Sequence, residues 1–177
     1  MTPIRSALSL ALLGFTALSA GAQASANPVS DALRSTLTRA EKNFLGSAET
    51  MPADKYGYKP TDKNMTFGAH MAHMADFNDM MCALIGGASA PGGPKVTATS
   101  SKTDIDAHLK SSFAFCGTAL ANVTDASLGS SVPFFGSNIT KGAAVLILSG
   151  DWSDHYAVTS TYLRLNQLLP PTAKQGM

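Results

Sequence analysis

The chain has 177 residues, 45% of them hydrophobic, which suits a single domain able to bury a core. Its 13 Lys plus Arg nearly balance 12 Asp plus Glu, for a formal net charge of +1. That balance excludes the basic footprint of a nucleic-acid binder or of a protein held to an anionic membrane by charge.

The first element is a sorting signal. Arg5 precedes an apolar run from Ala7 to Ala20, and Gly21-Ala22-Gln23-Ala24 closes in an Ala-x-Ala cleavage pattern. The run is too short for a membrane anchor, which needs about 20 residues. A second Ala-x-Ala at Ala24-Ser25-Ala26 places the cut within two residues of Ala24. Removing residues 1–24 from 177 leaves a domain of 153 residues over 25–177, with 12 basic and 12 acidic side chains once Arg5 is gone. The expected location is periplasmic or secreted. In such an oxidising compartment the two cysteines, Cys82 and Cys116, are expected to close a disulfide, since both lie on apolar faces of neighbouring predicted helices.

Asn27-Pro28 opens helix one, whose stripe is Leu33, Leu37, Ala40, Phe44 and Ala48, and Met51-Pro52 stops it. The stretch to Asn64, with Tyr56-Gly57-Tyr58-Lys59-Pro60, reads as an ordered loop. Thr66 caps helix two, which carries Phe67, Met71, Met74, Phe77, Met81 and Leu84 as far as Gly86-Gly87. Gly86 to Ser101 has loop composition. Thr103 and Asp106 form a capping box for helix three, with its stripe Ile105, Leu109, Phe113, Cys116, Leu120 and Val123. Gly129 to Ser137 reads as a further loop. Helix four begins near Asn138, carries Leu148, Trp152, His155, Thr159 and Tyr162 on one face, and ends by Pro170-Pro171. Four amphipathic helices and no alternating strand predict an all-α four-helix bundle, with connections long enough for crossovers.

Helical phase singles out chemistry on two helices. Asp151 and His155 are four apart, so they share the inward face with Trp152 and Tyr162. A carboxylate buried there needs a cation or hydrogen-bond partners. His73 is in line with His70, Phe77 and Leu84 on helix two, whereas His108 sits beside the helix-three stripe near Lys110 and reads as solvated. Bundle cores build metal sites from facing helices in this way, although a histidine in an apolar stripe also serves as an ordinary core residue. Met65, Met71, Met74, Met80 and Met81 offer a rival reading as copper-binding thioethers, against which Met is a normal core filler.

Several blocks, in order, resemble the DinB-like metal-binding four-helix bundles, and in particular an exported branch of them. These are Ala48-Glu49-Thr50-Met51-Pro52-Ala53-Asp54-Lys55-Tyr56-Gly57-Tyr58-Lys59-Pro60, Phe67-Gly68 leading to His73-Met74-Ala75-Asp76, Leu109-Lys110-Ser111-Ser112-Phe113, His155-Tyr156, Tyr162-Leu163-Arg164-Leu165 and Pro170-Pro171. The resemblance implies a mononuclear site with one His from helix two and two His four apart on helix four. His73 and His155 match; the remaining position is Asp151, and the common Gly after His-Tyr is Ala157. The implied metal set is therefore His73, Asp151 and His155, holding zinc, nickel, manganese or iron, with Asp76 accepting from the far nitrogen of His73. The resemblance further implies a metal-dependent transferase or hydrolase acting on a small molecule. The alternatives are a non-catalytic bundle that has lost its metal and a periplasmic copper-binding protein. No nucleic acid or membrane anchor is expected, and a dimer is compatible with the bundle.

Overall fold

A computed structural model describes residues 25–92, 96–97 and 99–174. Residues 1–24, the expected signal segment, lie outside the described residues. The elements are α1 (Pro28–Thr50), α2 (Phe67–Gly86), α3 (Lys102–Leu120), β1 (Ser131–Phe134), β2 (Ser137–Thr140), α4 (Lys141–Leu165) and α5 (Pro171–Lys174). Among the described residues no helix is long and apolar enough to cross a membrane.

Each long helix buries most of the stripe its sequence announces, with Phe77 and Leu84 of α2 only half-buried. Leu33, Leu37, Ala40, Phe44 and Ala48 of α1 meet Ile105, Leu109, Phe113, Cys116 and Leu120 of α3, Met71, Met74 and Met81 of α2, and Leu148, Trp152 and Tyr162 of α4 in one core. α1 packs against α3 and α4, and α2 packs against the same two, so α1 and α2 lie across a diagonal of the bundle. Consecutive helices are thus not neighbours at the first connection, as a crossover requires. The methionines divide between core and surface: Met71, Met74 and Met81 are fully buried, while Met65 and Met80 are exposed. They fill space rather than converge as thioether ligands.

Cys82 and Cys116 form a disulfide that staples α2 to α3, with Cα atoms 5.1 Å apart. Close by, the chains approach so tightly that a Cβ on Gly86 would stand 2.4 Å from the carbonyl oxygen of Ala119. Asn78 ties the middle of the bundle. It is fully buried, donates to Ser112 Oγ at 3.2 Å and accepts from the Trp152 indole nitrogen at 2.8 Å. A buried amide placed this way satisfies two other buried groups as well as itself.

Three expectations are corrected. Helix three begins two residues earlier, with Ser101 rather than Thr103 as its cap: Ser101 Oγ accepts from the Asp104 amide at 3.2 Å and donates to the Asp104 carboxylate at 2.7 Å. Asp106 is instead drawn to Lys102 Nζ, 2.6 Å away, and to the Tyr56 hydroxyl. The segment before helix four is not loop throughout but an antiparallel hairpin, in which Ser131 faces Thr140 and Val132 faces Ile139. Its two-residue turn, Phe135-Gly136, holds both residues at positive φ, 44° and 82°, the pattern that matches strand twist in tight hairpins. Helix four therefore starts at Lys141, capped by Thr140, and ends at Leu165 before the prolines; Pro171 opens the short α5.

Candidate metal centre

The α2–α4 contact brings four of the singled-out residues together. Thr66 caps α2 by accepting from the Ala69 amide at 3.1 Å, and this fixes the phase that turns His70 and His73 toward α4. From α4, Asp151 and His155 come off the same face one turn apart.

His155 lies at the centre. Its ring is 5.1 Å from that of His73, tilted by 34°, and 5.1 Å from that of His70, nearly parallel at 13°. Its Nδ1 stands 3.2 Å from the Asp151 carbonyl oxygen and 3.4 Å from Asp151 Oδ1. Both neighbours accept, so Nδ1 carries a hydrogen, and Nε2 is the nitrogen left to face the site. The His155 and Asp151 side chains are 25% and 17% exposed, so the site borders solvent without being bathed in it.

Asp151 has one oxygen engaged and one orphaned: Oδ2 is buried with no hydrogen-bond partner. Burial pushes this carboxyl above the ordinary carboxylate range, the imidazoles of His155 and His73 pull it back, and Asp154 pushes it up again. His70 is buried more deeply. Burial lowers it to about 4, a drop reinforced by His155 and His73 and opposed by the His155 carbonyl, so it is neutral at physiological pH.

Among the described residues no three His, Cys, Asp or Glu side chains converge closely enough to hold an ion as they stand. The set does suit a borderline divalent ion in chemical kind: two imidazoles from two helices and a carboxylate oxygen without a partner. Imidazole rotation about χ2 is soft, and it governs which ring nitrogen faces the carboxylate.

Two neighbours fall elsewhere. Asp76 stands 3.8 Å from His108 on α3, exposed and on the α3 side of α2. His108 is not solvated but packed between helices, its Nε2 3.1 Å from Asp79 Oδ2 and its side chain 21% exposed. The reason is the close α2–α3 packing, which covers the flank of α3 that the sequence leaves beside its stripe. Asp79 Oδ1 and His108 Nδ1 are also buried without partners. Burial raises Asp79, His108 lowers it, and Asp76 raises it again. This pair has one imidazole, whereas Asp151 is faced by two. His70, singled out with His73 but not among the implied ligands, joins the site through Thr159; a threonine one turn after His155 was the available signal.

The family model of the DinB superfamily matches residues 36–158. A crystal structure of a DinB-like protein from Bacillus subtilis superposes with a TM-score of 0.63 at 16% identity, covering 77% of this chain and 92% of that one. A conserved protein from Enterococcus faecalis gives 0.62 at 15% identity, with 76% and 94% covered. At such identities the likeness is one of fold. No curated protein matches the chain.

Proposed function

This chain belongs to the DinB superfamily, and on that footing we propose that it is an exported bundle that binds one divalent metal ion between α2 and α4 through His73, Asp151 and His155. The observation that carries this reading is Asp151 Oδ2, a buried carboxylate oxygen with no partner, on a side chain faced by two imidazoles. Leaving such an oxygen bare is costly, and a cation is the remedy that also uses the free Nε2 of His155. When bound, the ion would supply an open-site Lewis acid able to activate water or a thiol against a small-molecule substrate. This chain's residues supply the rest. The neutral His70 adds no charge that would repel a cation. The Tyr162 hydroxyl is spent on the Met65 carbonyl at 2.7 Å, which leaves it a wall of the site and not a donor to substrate.

A second reading, a bundle that has lost its metal, is favoured by the lack of convergence among the described donors and by Asp standing where the family pattern has His. Elemental analysis separates the two. Purified protein reconstituted with zinc, nickel, manganese or iron should hold about one ion per chain, and His73→Ala or His155→Ala should lose it. No stoichiometric ion in the wild type would leave the second reading. Export is supported by the signal pattern of residues 1–24 and by the paired cysteines. Intact-mass measurement of cell fractions should find a form beginning near Ser25 or Asn27; a full-length cytoplasmic chain would refute export.

A further inference from the structure

His70 is not among the ligands proposed above, yet it is the most buried histidine of the site, 5% exposed. Its Nε2 is 3.1 Å from the His155 carbonyl oxygen and 3.1 Å from Thr159 Oγ1, and the Thr159 hydroxyl donates to that same carbonyl at 2.8 Å. The carbonyl can only accept, so Nε2 carries the hydrogen, and Thr159 offers His70 a lone pair while giving its own proton to His155. The roles close into a three-membered network on one turn of α4. The ring is the middle of a stack, 6.0 Å from Tyr162 with planes 11° apart on one side and 5.1 Å from His155 at 13° on the other.

We propose that His70 is a positioning residue that sets the turn and ring plane of His155, and so aims Nε2 of His155 into the site. The metal consequence of this role rests on the reading above; the positioning itself does not. His70 acts through its donor: the Nε2–H is directed at backbone and hydroxyl oxygens of the α4 turn that carries His155. Space filling alone does not explain it. Burying a polar ring is costly, and the offsetting bonds run from one helix to the segment of another that carries His155. The stack adds a planar constraint that a hydrogen bond to backbone alone would not impose on the His155 ring.

The test uses the processed full chain, with far-UV circular dichroism as the check on folding. His70→Phe keeps a ring in the stack without the donor, and His70→Gln keeps a donor without the stack. Thr159→Val removes the other leg of the network should His70→Phe fail to fold. Two quantities are read: the three-bond N–Cγ coupling of His155 in metal-free protein, which reports its χ1, and zinc affinity by calorimetry. The wild type should show a single-rotamer coupling. His70→Phe should show an averaged one and bind zinc about 10–100-fold more weakly, the usual loss for a partner of a metal-bound histidine, with part of both recovered in His70→Gln. An unchanged coupling and unchanged affinity in His70→Phe would overturn the proposal. An averaged coupling in that variant together with no zinc binding in the wild type would uphold the positioning and overturn the metal reading alone.

Discussion

Breaking the Cys82–Cys116 disulfide should cost a sizeable share of the domain's stability. The bond joins residues 34 apart and links α2 to α3, and both cysteines are fully buried. Chain entropy for a closed loop of that length gives about 12.6 cal/mol/K, or about 3.8 kcal/mol at 25 °C, near the top of the usual 2–4 kcal/mol. For a domain of this size that corresponds to a melting temperature lower by roughly 8–15 °C. The assay is urea unfolding followed by fluorescence of Trp152, the single tryptophan, which is 2% exposed and bonded to Asn78 in the core. Reduction has to be done in denaturant, because the sulfurs are covered in the fold. The reduced, refolded protein should show a lower midpoint and a larger m-value, since its unfolded chain is released from a cross-link and exposes more surface. Coincident midpoints for oxidised and reduced protein would refute the argument that the link acts on the unfolded chain.

Three further outcomes follow from the packing. Asp125 accepts from the amides of Val29 and Ser30 at 3.0 and 2.8 Å and so caps α1 from a distant loop. Burial raises its carboxyl, but these bonds, the Ser30 hydroxyl and Arg34 outweigh that and leave it below the ordinary value of 3.8. Its stabilising effect should be complete above that value and fade as pH falls through the lower folded one; Asp125→Asn should be less stable at pH 7 and lose the fade, as melting temperatures from pH 7 to 2 would show. Asn78→Ala orphans the Trp152 indole N–H and should cost about 1–3 kcal/mol beyond the lost volume, read from the same urea curves. Gly86→Ala forces backbone apart beside the disulfide and should cost about 1–3 kcal/mol, despite the better helix propensity of Ala, in a thermal melt.

The helices were legible because a buried face repeats with helical period: Leu33, Leu37, Ala40, Phe44 and Ala48 need no partner to be recognised as one stripe. Caps were legible where one candidate stood alone, as at Thr66, and ambiguous where two overlapped, since Ser101 with Asp104 and Thr103 with Asp106 have the same spacing. The hairpin escaped because strands of four residues are too short to alternate convincingly, and one of them contains Pro133. Asn27-Pro28 marked the start of α1, whereas the carboxylate that takes its first amides was beyond local reading, Asp125 lying 95 residues from Ser30. In the candidate site, the i, i+4 pair of Asp151 and His155 follows from sequence, and so does its inward phase. What His70 binds does not, because that depends on which turn of α4 lies opposite it. Asp76 illustrates the same limit: its phase on α2 was compatible with His73, and the place of α3 gave it His108.

The proposed metal site depends on the unpartnered carboxylate oxygen of Asp151, and Asp151→Asn isolates that oxygen. Thermal melts of wild type and variant, each without metal and with zinc, nickel, manganese or iron(II), test it most directly. Without metal the variant should melt higher than the wild type, since the neutral amide avoids burying a bare charge. With metal at a hundred times Kd, about 2.7 kcal/mol of linkage should raise the wild type by roughly 5–11 °C and leave the variant unmoved. A wild type that responds to none of the four ions, or a variant that responds as strongly as the wild type, would contradict the claim.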